Sequence, residues 1–120
     1  WKSRKGFTYI DDVIDGLLKS LNKFSNKKKL NLFFNNKVPS KIFNISGNKT
    51  TTLLDYVNLI AKELKKKPKI VYKKLQLGDV VRTSADITST KKILGFNPKT
   101  NLSKGISTFI KWYKYYNKLN

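Results

Sequence analysis

Within "QLGDVVRTSAD", Gln76 to Asp86, the chain gathers a Gly-Asp pair, one of its two arginines and a helix-capping aspartate. Asp79 offers a carboxylate that can accept from two donors at once. Arg82 supplies a positive group suited to a diphosphate or a carboxylate, and Gln76 adds an amide. Gly78 permits a tight turn before Asp79. By residue type alone, the plainer reading is a turn in which Asp79 bonds its own backbone and Arg82 lies in solvent. These are binding groups, and nothing around them supplies a reaction centre.

The rest of the sequence supplies none either. There is no cysteine and no histidine, which excludes thiol and imidazole catalysis and Cys- or His-based metal sites in this chain. No glycines are spaced as in G-x-x-G-x-x-G or G-x-x-x-x-G-K, so no loop cradles the phosphates of a dinucleotide or nucleoside triphosphate. No tyrosine is followed four residues later by lysine. Asp11, Asp12 and Asp15 crowd a helix start, where capping and the helix dipole account for them.

The 120 residues are 39% hydrophobic and 12% aromatic, enough for a packed core in one domain or in a piece of a larger one. The formal charge of +19 raises nucleic acid or an anionic membrane as partners. However, 24 of the 26 basic residues are lysine, and they are spread along the whole chain. Readers of base edges and phosphates lean on arginine forks, so scattered lysine reads as a solvated face and nucleic acid is not the expected partner. No apolar run approaches the roughly 20 residues that span a bilayer, and "WKSRKGFTY" lacks the apolar segment of a signal peptide. The expectation is a cytoplasmic protein with no membrane partner. The start at Trp1 rather than Met points to a piece of a longer protein.

The elements that must position the loop follow from periodicity. "FTYI" predicts a short strand. "DDVIDGLLKSLNK", about residues 11–23, predicts a helix with Val13, Ile14, Leu17, Leu18 and Leu21 on one face and Asp11 or Asp12 as cap. "FSNKKKLNLFFNNKVPS" reads as a loop around a short apolar patch, and "KIFNISG" as a strand. Thr52 and Asp55 approximate a capping box for a helix over about 52–66, with Leu53, Val57, Ile60, Ala61 and Leu64 as its stripe and Pro68 closing it. "PKIVYKKL" predicts another strand. Asp86 caps "ITSTKKILGF", which Gly95 ends. Asn101 or Thr100 starts the last helix, whose Leu102, Ile106, Phe109, Ile110, Tyr113 and Tyr116 form a packing surface rather than a base-stacking platform. The order is an α/β pattern with no internal repeat.

In this order "FTYIDDVIDGLLKSL", "KIFNISGNKTTTLLDYVNLIAKEL" and "LQLGDVVRTSADITSTKKILGFNPKTNLSKGISTFIKWYKYY" resemble the C-terminal part of extended short-chain dehydrogenases/reductases, most of all UDP-glucuronate 4-epimerases. The resemblance covers nearly the whole chain. It implies an NAD-dependent enzyme that oxidises C4 of a UDP-hexuronate or UDP-hexose, lets the keto intermediate rotate and returns the hydride to the other face. It implies that residues 1–120 are the nucleotide-sugar-binding lobe plus trailing elements of the fold. The N-terminal Rossmann core, with its NAD-binding glycine motif and Tyr-x-x-x-Lys pair, is missing here. NAD is then the cofactor of the complete enzyme, and this chain alone binds none. The partners implied are a UDP-sugar and that Rossmann portion, with a homodimer left open.

The resemblance sets Gln76 near the diphosphate or uridine and Asp79 near the ribose hydroxyls, with Arg82 as the positive group. Relatives commonly carry Arg-Asp just before the "FTYIDD"-like segment, with the arginine on the substrate phosphates. This chain has Arg4-Lys5-Gly6 there. Either Lys5 takes the arginine's position or Arg4 is displaced by one residue, and a lysine point charge does not reproduce a bidentate fork. Two other readings stand beside this one: a stand-alone basic module for nucleic acid or acidic polysaccharide, and an inactive remnant of a truncated gene.

Overall fold

The computed structural model describes residues 3–25, 41–47 and 49–119. Strand β1 (Arg4–Gly6) precedes helix α1 (Ile10–Ser25); strand β2 (Thr50–Thr52) then runs directly into α2 (Leu53–Leu64), and α3 (Thr88–Leu94) and α4 (Leu102–Tyr116) follow. β1 pairs antiparallel with β2, in the register Arg4 to Thr52, Lys5 to Thr51 and Gly6 to Thr50. The loop expected over "FSNKKKLNLFFNNKVPS" lies almost wholly outside the described residues.

The caps are local and follow the sequence. The Thr52 hydroxyl accepts from Asp55 N at 3.1 Å and donates to Asp55 Oδ2 at 2.6 Å, joining the residues expected to form the box. The helix ends earlier than Pro68 implies, because Lys65 turns left-handed at φ 53° and its amide satisfies the last carbonyls. Asn101, not Thr100, caps α4, with Oδ1 accepting from Lys104 N at 2.9 Å. Asp86 Oδ1 accepts from Thr88 N at 2.9 Å. The Thr88 hydroxyl and amide hold the Asp86 carboxyl below the usual carboxylate range. A lowered folded pKa gives stability that is present above the ordinary carboxylate value and lost as pH falls through the lowered one.

Strands depart further from expectation. "FTYI" is not a strand; the pairing segment lies just before it, at Arg4–Gly6. Residues 41–47 have no ladder partner among the described residues, and 68–75 are exposed and outside any strand. Residues 41–47 instead run between two helices. Gly16 of α1 comes so close that a Cβ there would sit 2.9 Å from Ile45 Cδ1. On the other side, the buried Thr90 of α3 donates its hydroxyl to Asn44 O at 2.8 Å.

Burial is correspondingly small. Ile87, Leu94 and Phe96 form a core with Phe24, Phe43, Ile45 and Ile93 packed against it. Ile106 and Ile110 of α4 are buried, and α4 packs on α2. The rest of the α4 stripe is open, with Phe109, Trp112, Tyr113 and Tyr116 exposed, so only part of it serves as packing surface. The α1 face is open too: Ile14, Leu17, Leu18 and Leu21 are 46–66% exposed. The Cα radius of gyration is 18.7 Å, against about 13.6 Å for a compact domain of this length. No helix among the described residues is long and apolar enough to cross a membrane.

Neither Asp11 nor Asp12 is the cap expected for α1: the helix already starts at Ile10 and both lie inside its first turn, where Asp12 has a different task. Its buried carboxylate accepts from Lys99 N at 3.1 Å and Thr100 N at 3.0 Å, tying the first turn of α1 to the segment that launches α4. Asp12→Ala removes a charged acceptor and strands two amides, so chemical unfolding should show a loss of about 2–4 kcal/mol. Leu21→Lys, on the open α1 face, should change stability by no more than about 0.5 kcal/mol and reduce binding of an apolar dye.

Candidate functional site

β1 is too short and too polar to announce itself, yet it is paired on both edges. One edge takes β2. On the other, Arg4 N donates to Val81 O at 2.8 Å and Thr83 N donates to Arg4 O at 3.0 Å, a parallel bridge between Arg4 and Arg82. Gly6 N adds a bond to Thr83 Oγ1 at 3.3 Å. The loop after Gln76 is therefore fastened to the residues just before "FTYIDD".

The turn itself forms as its residue types require. Asp79 N donates to Gln76 O at 3.2 Å, and Gly78 sits at φ +88°, where a side chain would be strained. That is the third position of a turn needing positive φ. The Asp79 carboxylate does not fold back on its own backbone. It accepts from Lys5 Nζ at 2.9 Å, and the same ammonium donates to Val80 O at 2.7 Å.

Arg4 is committed elsewhere, with Nε donating to Thr50 Oγ1 at 3.1 Å and Nη2 to Thr50 O at 2.8 Å. Successive strand residues face opposite ways and bridged partners face alike. The register thus sets Arg82 beside Arg4, on the face away from Lys5. Of the four residues singled out in the sequence, the structure brings Lys5 and Asp79 into contact. Arg82 and Gln76 stay exposed on the same loop and do not join that pair.

Two clefts lie on the α4 side of β1. A largely apolar one of about 190 Å³ is lined by Phe7, Tyr9, Tyr56, Ile60 and Phe109 among others, with Phe7 stacked on Tyr56 at 4.4 Å between ring centroids. The second, of about 240 Å³, is more polar and is lined by Phe7, Thr51, Thr100 and two lysines, Lys49 and Lys99. Neither contains Gln76, Asp79 or Arg82. Sequence reasoning missed Lys49 and Lys99, and one lysine among 24 carries no signal by type or spacing. It also missed the Asp12 clamp, which the unusual density of acids in "DDVID" hinted at.

No family model matches the chain. An uncharacterized protein of Methanocaldococcus jannaschii is 36% identical over 109 residues, covering 91% of this chain and 29% of that protein. UDP-glucuronate 4-epimerase 1 of Arabidopsis thaliana is 33% identical over 113 residues, covering 93% of this chain and 26% of that enzyme. The fold superposes with a TM-score of 0.74 on the crystal structure of UDP-glucuronic acid 4-epimerase from Bacillus cereus in complex with NAD, at 23% identity, over 99% of this chain and 33% of that one. The chain is a fragment of the extended short-chain dehydrogenase/reductase epimerase fold. It spans between a quarter and a third of the length of these proteins.

The turn at Gly78 gives a direct check on the site's geometry. Gly78→Ala should strain the turn by about 1 kcal/mol and speed amide exchange at Asp79, because a left-handed φ penalises a Cβ. Gly78→Asn should be milder, since asparagine tolerates that region.

Proposed function

We propose that this chain is the sugar-nucleotide-binding part of an NAD-dependent epimerase acting on a UDP-hexuronate or UDP-hexose, and that residues 1–120 form its C-terminal portion. In this reading the Lys5–Asp79 edge of loop 76–82 meets the uridine diphosphate. Asp79 takes the ribose hydroxyls, Gln76 borders the diphosphate or uridine, Lys5 supplies positive charge at that edge, and Arg82, bridged to Arg4 on the opposite face, adds only longer-range attraction for the diphosphate or a carboxylate. The supporting observation is that the loop to which the family resemblance assigns ligand binding is fastened to the strand that carries Lys5. The 33% identity to a plant UDP-glucuronate 4-epimerase runs over 93% of the chain and argues for the same class of substrate.

The chain's own residues bind and orient; oxidation and return of the hydride would be the work of NAD held by the N-terminal Rossmann portion. The residues present here include no glycine-rich phosphate turn and no Tyr-x-x-x-Lys pair, so the fragment itself is expected to bind no NAD and turn over no substrate. We place the complete protein in the cytoplasm, where nucleotide sugars and NAD are both available to it.

Asp79→Ala tests the reading in the complete enzyme. Removing a charged acceptor from two hydroxyls should weaken UDP-sugar binding by about 1.5–3 kcal/mol. KM should rise while kcat stays nearly constant, the pattern of contacts made equally in ground and transition states. If instead the melting temperature falls and affinity per folded molecule is unchanged, Asp79 serves only the turn.

A further inference from the structure

Apart from the turn bond of Asp79 N to Gln76 O, the hydrogen bonds seen for residues 79–83 that reach the rest of the described chain end on β1. Three of them are backbone or threonine bonds at Val81 and Thr83. The Lys5 ammonium supplies the other two, to Asp79 Oδ1 and Val80 O. An ammonium has three donors, so these contacts use two of them. They also engage one oxygen, Oδ1, of the carboxylate that the proposed function assigns to the two ribose hydroxyls. The Arg4 guanidinium is engaged by Thr50 on the other edge of β1 and makes no bond to this loop.

We propose, on the basis of that functional reading, that Lys5 is a displaceable latch. In the empty site it holds the loop by its bonds to Asp79 and Val80. When a uridine diphosphate arrives, the ammonium transfers to the diphosphate, and Asp79 is released to accept from the ribose hydroxyls. Both halves of the ligand are needed for the exchange. A diphosphate draws Lys5 away more strongly than a single carboxylate does, and the freed carboxylate finds replacement donors in the two hydroxyls.

The pair is suited to exchange and poorly suited to permanence. Its side chains are 24% and 48% exposed, and solvent-exposed ion pairs of this kind contribute little and are screened by salt. A contact of that strength orders a loop and is readily displaced. The segment it restrains is itself loosely held, since every residue from 65 to 82 is exposed. The lysine departs from the arginine that the resemblance leads one to expect, and the departure fits the role. A compact ammonium on a flexible stem can change partners, whereas a planar fork favours one fixed geometry.

The test has a ligand-free arm and a binding arm, both on the intact protein. Without ligand, Lys5→Met should speed amide exchange at Asp79 and Val80 by about two- to fivefold, the ratio expected from a surface ion pair. Lys5→Arg should stay near wild type, and the reversed pair Lys5→Asp/Asp79→Lys should restore most of the protection. In the binding arm, Lys5→Met should weaken UDP but strengthen uridine, which lacks the diphosphate and has to displace the latch uncompensated. Asp79→Asn should weaken UDP but strengthen inorganic pyrophosphate, while Glu63→Gln, of equal charge change, should not. Parallel losses for uridine and UDP in Lys5→Met would overturn the exchange and leave Lys5 a structural residue. Unchanged amide exchange in Lys5→Met would overturn the latch itself. Wild-type protein that binds no uridine nucleotide would instead overturn the functional reading, and the ligand-free arm alone then decides the latch.

Discussion

The double pairing of β1 is the constraint on which the candidate site depends. Arg4–Gly6 meets Thr50–Thr52 on one edge and Val81–Thr83 on the other, so three parts of the chain, separated by more than forty and more than seventy residues, converge on three amino acids. Closing loops of that length is entropically unfavourable, and a few backbone bonds do not repay it. The helices do. β2 leads without a break into α2, whose packing on α4 holds Thr50–Thr52 in place. The 81–83 segment leads through Asp86 into α3, which carries Ile87 and Leu94 into the core. The site's backbone is thus positioned by apolar contacts that lie outside it.

Those apolar contacts are few. Full burial of a leucine or isoleucine side chain contributes about 1.5–3 kcal/mol, and α1 leaves four such residues about half exposed or more. Residues 41–47 show the same incompleteness. They lie against Gly16 of α1 through Ile45 and meet α3 through the Thr90 hydroxyl on Asn44 O, while Ile42 is left 91% exposed. Their backbone nevertheless has no ladder partner among the described residues.

What could be read from the sequence divides along the same line. The helices and their caps were legible, because Thr52 with Asp55 and Asn101 with Lys104 interact within three residues, and periodicity marks a buried face wherever it points. β1 was not legible. "RKG" has neither β-branched side chains nor alternation, and its pairing is decided by residues remote in sequence. "FTYI" has both, yet Phe7 and Tyr9 line the cleft against Tyr56 and Phe109 and do not join a sheet. For the candidate site, Lys5 and Asp79 were each identifiable by type and by resemblance. Their bond to one another, across 74 residues, was not.

Charge explains why the acids are more informative than the bases. Only seven acidic residues face 26 basic ones, so a scattered lysine is interchangeable with its neighbours and tells little about place. The carboxylates are not interchangeable. Asp12 clamps the amides of Lys99 and Thr100, Asp15 pairs with Lys19, Asp55 completes the box with Thr52, and Asp86 holds Thr88. Each serves a helix or its entry. Asp79 alone among the bonded acids serves no helix; it sits on an exposed loop against a lysine delivered by a strand. In so positive a molecule an anionic ligand is drawn from a distance by the whole surface, an attraction that salt screens and that selects for charge only. Recognition of anything beyond charge requires an acceptor within reach of the ligand, and Asp79, an exposed loop residue whose carboxylate partner is Lys5, is placed to provide one.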